Sequence, residues 1–115
     1  MIKRIQVGPR MSQAVVHGNT VYLAGQVAND TAADVGGQTR QVLASIDELL
    51  RAAGTDKTQL LSATIYLADI ATFAQMNLVW DTWVAPGSTP ARATIEAALA
   101  TPAYKVEIVV VAALP

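Results

Sequence analysis

The apolar residues of this 115-residue chain change their period along the sequence, and that change limits the possible folds more than any other feature. Residues 2–7 alternate apolar and polar side chains, as a half-buried strand does. From about Gln38 to Ala53 the apolar residues recur every three or four positions, which is the spacing of an amphipathic helix. Further strand-like runs occupy residues 60–67, 91–99 and 104–112. Both periods within this length predict a single α+β domain covering residues 1–115.

Turn-forming residues place the boundaries between these runs. Gly18 and Asn19 separate two short apolar runs, 14–17 and 21–24, and predict a tight hairpin. Residues 29–37 are small and polar and predict a loop before the first helix, which Gly54 is expected to end. The resulting order is β-β-β-α-β-α-β-β, a mixed sheet with two helices on one face.

The second helix is predicted from an apolar face that begins near residue 73. Asp69 or Thr72 offers an oxygen for its N-cap. Proline cannot continue a helical hydrogen-bond ladder, so Pro86-Gly87 marks its end. Its apolar face consists of Phe73, Met76, Trp80, Trp83 and Val84. The aromatic members of this face are expected to serve packing rather than to cage a ligand.

The composition points to self-association. Hydrophobic residues make up 52% of the chain and charged residues 15%, whereas about 25% charged is usual. No run reaches the roughly 18 apolar residues that a membrane span requires. The N-terminal residues alternate instead of forming a signal-like apolar segment, so we expect a cytoplasmic protein. The apolar surplus therefore predicts an oligomer that covers the sheet face opposite the helices.

Several classes of site are disfavoured by the residues present. The net charge is −1 and no basic stripe occurs, so nucleic acid is an unlikely partner. Cysteine is absent, and the single histidine, His17, adjoins the predicted hairpin turn and is expected on the surface. No phosphate-binding loop and no G-x-S-x-G motif is present. We therefore expect neither a metal nor a cofactor.

Arg92 is the first residue that could carry chemistry. Strand alternation puts Arg92, Thr94 and Glu96 on one face of a strand whose other residues are mostly small. A guanidinium group with space around it can hold a carboxylate through two parallel hydrogen bonds. An ordinary surface arginine fits the periodicity equally well, and Glu96 could be the partner of Arg92.

Glu107 is the second such residue, because it interrupts an otherwise apolar strand. A carboxylate there is costly unless it is paired or hydrogen-bonded. It could pair with a basic group, hold a water molecule, or face solvent beside Lys105. Asn77 follows Met76 on the second helix and could brace the wall of a pocket.

Four stretches in order resemble the Rid family, also called YjgF or L-PSP endoribonuclease. The C-terminal part combines Thr89-Pro90-Ala91-Arg92-Ala93-Thr94-Ile95-Glu96 with Tyr104-Lys105-Val106-Glu107-Ile108. The other stretches are Gly18-Asn19-Thr20-Val21-Tyr22-Leu23-Ala24-Gly25-Gln26, Ala63-Thr64-Ile65-Tyr66-Leu67-Ala68-Asp69 and Phe73-Ala74-Gln75-Met76-Asn77. The resemblance covers nearly the whole chain.

The resemblance implies a fold like that of bacterial chorismate mutase and a homotrimer with three pockets between subunits. It implies hydrolysis of enamines and imines to a 2-oxo acid and ammonia. Arg92 would grip the substrate carboxylate and Glu107 would act on the attacking water. The Thr94 backbone would contact substrate, and Asn77 matches a frequent family asparagine.

Three positions depart from the family pattern. Met11 stands at the place of a pocket tyrosine, Ala24 replaces a serine and Thr94 replaces a cysteine. The polarity of the pocket therefore differs, and a trimer that binds a small carboxylate without turnover is the alternative function. RNA cleavage, which the family's older name indicates, is disfavoured by the near-neutral charge and the single histidine.

Overall fold

The computed structural model describes all 115 residues and contains six strands and two α-helices. The order is β-β-β-α-β-α-β-β, as the sequence predicts. The elements are β1 (Ile2–Val7), β2 (Ser12–His17), β3 (Thr20–Leu23), α1 (Val35–Ala53), β4 (Leu60–Leu67), α2 (Phe73–Trp83), β5 (Ala91–Glu96) and β6 (Val106–Ala113).

The strands form one mixed sheet in the order β1-β2-β3-β6-β4-β5. All neighbouring pairs are antiparallel except β4 and β5, which are parallel and are joined through α2. A parallel pair needs such a crossover because a short turn cannot return the chain to the same end of the sheet. The crossover sets α2 against β5, an edge strand.

The helices cover one face of the sheet and enclose the core. Alternate residues of β4 and β6, such as Ile65 and Ile108, are fully buried beneath them. Gln38 of α1 is also fully buried. Its amide donates to the carbonyls of Thr31, Ala33 and Ala103 and accepts from the Lys105 backbone, so it ties two loops to the helix.

The first helix begins earlier than the sequence predicts. It starts at Val35, within the segment 29–37 that was expected to be a loop. The Asp34 carboxylate accepts a hydrogen bond of 2.8 Å from the Gly37 backbone and caps the helix. Gly36 and Gly37 lower the helix propensity of this turn, yet a Cβ on Gly37 would lie only 2.9 Å from that of Ala33.

The C-terminal strands also differ from their predicted bounds. β5 ends at Glu96 rather than Leu99, because its partner β4 ends at Leu67, which is paired with Glu96. β6 begins at Val106 rather than Tyr104. Gly18 (φ 60°) in the hairpin and Gly54 (φ 90°) at the end of α1 lie where the sequence predicts them.

The sheet face opposite the helices is not covered within the chain. We call it the open face; it carries Tyr22, Tyr66, Ile95 and Val109 on successive strands, and Tyr22 is 50% exposed. This bare apolar face accounts for the high hydrophobic content of the sequence. Neither helix combines the length and the apolarity needed to cross a bilayer.

Candidate functional site

Arg92 lies on the helix face of the sheet, at its β5 edge. Its Cα pairs with that of Ala63, whose side chain is buried under the helices. The Arg92 Nη1 atom donates a 2.8 Å hydrogen bond to Oδ1 of Asn77 on α2. Asn77 is therefore beside Arg92, as a pocket arrangement requires, and it contacts the guanidinium directly.

Two aromatic rings of α2 complete the surroundings of Arg92. The Arg92 Cζ atom lies 5.3 Å from the ring centre of Trp80 and 5.8 Å from that of Phe73, within the range of a cation–π interaction. Arg92 itself remains exposed. We call Arg92, Asn77, Phe73 and Trp80 the arginine cluster. It presents a fixed cation to the outside of the chain.

Glu96 and Thr94 share the face of Arg92 but behave differently. The Glu96 carboxylate accepts a 3.0 Å hydrogen bond from the Ile70 backbone, so Asn77 is the observed partner of Arg92 in place of Glu96. Thr94 Oγ1 is buried and has no hydrogen-bond partner in the chain. An unpaired buried hydroxyl group costs about 1–3 kcal/mol, so Thr94 is a locally unfavourable feature of this strand.

Glu107 lies on the open face, aligned with Tyr66 and through it with Ile95. Its carboxylate occupies the space above Gly25: a Cβ on Gly25 would lie 2.1 Å from Glu107 Oε2. No side chain larger than hydrogen fits at residue 25 unless the carboxylate moves. Gly25 therefore defines where this carboxylate can lie.

Met11 and Gly25 line a cavity with a volume of about 500 Å³. The Gln26 side chain donates a 2.9 Å hydrogen bond to Gln13 Oε1 in the same wall. Ala24 is attached to this wall through its backbone N–H, which donates to the Gln13 carbonyl. We call Glu107, Gly25 and Met11 the glutamate cluster.

The two clusters do not meet within one chain. Arg92 aligns with Ala63 and Glu107 with Tyr66, three residues further along β4, so their side chains leave opposite faces of the sheet. Two strand spacings of about 4.8 Å and about 10 Å along the strands add to this separation. A single small substrate cannot contact both groups of the same chain.

Three features of the site were not inferred from the periodicity. Trp80 and Phe73 were expected to serve packing alone, and their contact with Arg92 depends on how α2 crosses the sheet. Gly25 was treated as the end of a strand, although it lies within the Ala24-Gly25-Gln26 stretch of the resemblance. The Gln13–Gln26 hydrogen bond joins β2 to the segment that follows β3, and no pattern within either segment indicates it. His17 is exposed at the hairpin, as predicted.

Comparisons with known proteins agree along the whole chain. The family model described as Endoribonuclease L-PSP matches residues 1–114. A RutC family protein of Haemophilus ducreyi is 49% identical over 99% of this chain and 97% of its own. A Bos taurus protein named 2-iminobutanoate/2-iminopropanoate deaminase is 38% identical over 92% of this chain and 80% of its own.

The fold comparison gives the same result. The crystal structure of a YjgF family member from Neisseria meningitidis superposes with a TM-score of 0.98 at 43% identity, covering 100% of this chain and 96% of that one. The chain therefore belongs to the endoribonuclease L-PSP family, which is the Rid (YjgF) family that its sequence motifs resemble.

Proposed function

We propose that this protein hydrolyses 2-imino acids to 2-oxo acids and ammonia in pockets between the subunits of a homotrimer. The observation that carries the proposal is the arginine cluster, an exposed guanidinium held by Asn77 at 2.8 Å. A guanidinium tethered by a neutral amide keeps its full charge for a carboxylate. The relatives include a bovine protein named for this deaminase activity.

The proposed reaction needs binding, one base and water. The substrate carboxylate binds the free N–H groups of Arg92, which fixes the position of the imine carbon. Glu107 accepts a proton from a water molecule as the water oxygen bonds to that carbon and the C=N π electrons move to nitrogen. The proton on Glu107 passes to that nitrogen and gives a neutral carbinolamine with an NH2 group. The hydroxyl proton is then transferred to the same nitrogen as the C=O bond forms, the C–N bond breaks and NH3 leaves, so Glu107 ends ionised as it began.

We further propose that each pocket combines the arginine cluster of one subunit with the glutamate cluster of a neighbour. The positions of Arg92 and Glu107 on opposite sheet faces support this division. The bare open face supports an assembly in which a second copy covers it. A head-to-tail contact of this kind closes into a ring, and a trimer gives three equivalent pockets.

Subunit complementation tests the function and the division together. Arg92→Ala and Glu107→Gln should each abolish acceleration of 2-iminopropanoate loss, because one removes the carboxylate ligand and the other the base. Coexpressed in equal amounts, the two variants should regain about one quarter of wild-type activity, the share of random pockets that join an intact Arg92 to an intact Glu107. The separately purified variants mixed without exchange are the control.

The outcomes separate two kinds of failure. Full activity in Arg92→Ala would contradict the deaminase proposal. Inactive single variants with no recovery on coexpression would place both residues of a pocket in one chain and contradict the division between subunits.

A second candidate function is a trimer that binds small carboxylates without turnover. Met11 favours it, because the side chain that lines the cavity beside Gly25 is a thioether without a hydroxyl group. Calorimetric titration with 2-oxobutanoate, run beside the turnover assay, separates the two. Binding of 2-oxobutanoate without any acceleration of imine loss would support the binding protein.

A further inference from the structure

We propose that side chains of α2 fix the conformation of the Arg92 side chain before substrate binds. In this arrangement Asn77 is a positioning residue that leaves the guanidinium charge available for a carboxylate. The inference rests on the proposed function for its substrate and on the arginine cluster for its geometry. It assigns Asn77 an indirect role: Asn77 holds Arg92, whereas the sequence analysis offered it only as a brace for a pocket wall.

The hydrogen bond between Arg92 and Asn77 fixes one corner of the guanidinium. Nη1 lies 2.8 Å from Asn77 Oδ1, and only the amide oxygen of Asn77 can accept from a group that has donors alone. Arginine carries five N–H donors in a planar fork. One is used by the amide, so an edge of the fork remains for a bidentate carboxylate.

The two rings restrict the remaining freedom of the side chain. The Arg92 Cζ atom lies 5.3 Å from the Trp80 ring centre and 5.8 Å from that of Phe73. Trp80 is 5% exposed and belongs to the core, so the contact ties the cation to a closely packed residue of α2. A long side chain that is already ordered loses less entropy when its ligand binds.

The carboxylate nearest in sequence on the same face is committed to another bond. Glu96, the last residue of β5, accepts a 3.0 Å hydrogen bond from the backbone of Ile70, in the turn that precedes α2. The tether of Arg92 is thus an amide in a place where an acid would have neutralised it. Neutrality at residue 77 is therefore the property to test, because a purely structural role needs only the acceptor oxygen.

Asn77→Asp separates the two roles, because it keeps the shape and the acceptor while adding a negative charge. The Kd of 2-oxobutanoate, measured by calorimetry, should rise about tenfold, since a carboxylate at residue 77 competes with the ligand for Arg92. The KM for 2-iminopropanoate should rise by a similar factor, while kcat should stay within about twofold of its wild-type value. This is the result expected when ground state and transition state lose the same contact.

Two further variants test the specificity of the added charge and the contribution of one ring contact. Leu78→Asp adds the same charge one residue further along α2, at a side chain that is 71% exposed, and should leave Kd within about twofold. Phe73→Leu removes one ring contact without changing charge, and should raise Kd by about twofold to threefold. An unchanged Kd in Asn77→Asp, or equal increases in Asn77→Asp and Leu78→Asp, would overturn the inference.

A ligand-independent measurement keeps the inference separate from the proposed function. In ¹⁵N relaxation experiments, the Arg92 Nε–H group of the wild type should be as ordered as the backbone, and Asn77→Ala should make it mobile. If wild-type protein bound no 2-oxobutanoate, the proposed function would fail. The relaxation measurement would still show whether Asn77 holds the Arg92 side chain in place. Equal mobility of the Arg92 side chain in wild type and Asn77→Ala would show that Asn77 does not restrict it.

Discussion

The arginine cluster and the glutamate cluster are built in different ways. Arg92 is held by contacts, namely one hydrogen bond and two ring faces, all from α2. The Glu107 carboxylate lies in a space that is open only because residue 25 is a glycine; any side chain on Gly25 would occupy it. One half of the proposed site thus depends on a helix crossing, and the other on the absence of a single carbon atom.

The difference shows where each half can be disturbed. A cation held by three side chains keeps its direction before any neighbour arrives. Glu107 lies on the open face beside Tyr66 and in line with Ile95, where the proposed assembly would cover it with a second subunit. The proposed assembly therefore matters more for the glutamate cluster than for the arginine cluster.

The largest effect is expected from a charge on the open face. Tyr22→Glu should dissociate the proposed trimer, because a carboxylate buried in a subunit interface loses its hydration without a partner. Turnover should fall more than about 100-fold as the composite pocket is lost. Analytical ultracentrifugation gives the mass of the assembly. Tyr22 is 50% exposed in the single chain, so the monomer should remain folded.

Leu78→Glu is the matched control for that variant. Leu78 is 71% exposed on α2, in the helix layer rather than on the open face, so the same charge there should leave the mass unchanged. If Leu78→Glu dissociated the protein and Tyr22→Glu did not, the subunit contact would lie on the helices and the comparison would be reversed.

A smaller effect is expected from filling the space beneath Glu107. The added methyl group of Gly25→Ala would meet Glu107 Oε2 at 2.1 Å. The carboxylate is the flexible end of a side chain and should swing away, so kcat should fall about tenfold while the Kd of 2-oxobutanoate stays unchanged.

Gly36→Ala serves as the glycine control. Its Cβ would meet no atom closer than 3.6 Å, so activity should be unchanged. Unchanged turnover in Gly25→Ala would mean that the added methyl group does not displace the carboxylate, and equal losses in Gly25→Ala and Gly36→Ala would mean that the loss is not specific to residue 25.

The smallest effect is expected from loosening α2 away from Arg92. Trp83 Nε1 donates a 2.9 Å hydrogen bond to Asp47 of α1, and Trp83→Phe should cost about 1 kcal/mol of stability. The melting temperature should fall by about 4 °C, with kcat/KM within about twofold of wild type. A rise in KM as large as that of Asn77→Asp would mean that the docking of α2 as a whole, and not the arginine cluster, orients Arg92.

Much of the fold was accessible from the sequence because it depends on local periodicity. The alternation of β6 and the helical spacing of α1 each describe a single segment, and both elements exist in the predicted part of the chain, with shifted ends. The start of α1 was predicted wrongly because Gly36 and Gly37 are poor helix formers, and the Asp34 cap outweighed them. The end of β5 depends on where its partner strand β4 ends, and the sequence of β5 contains no signal for that position.

Of the candidate site, the sequence determined the residue types and their faces. A fork-shaped cation on a strand of small residues and an acid within an apolar strand were both apparent from alternation. The tertiary structure decided their partners. Asn77 and Trp80 reach Arg92 because the β4–α2–β5 crossover lays one helix over the edge strand. Glu107 meets Gly25 because the segment that follows β3 lies beside β6, far away in sequence. Periodicity is a property of neighbours along the chain, whereas these contacts depend on how whole elements pack.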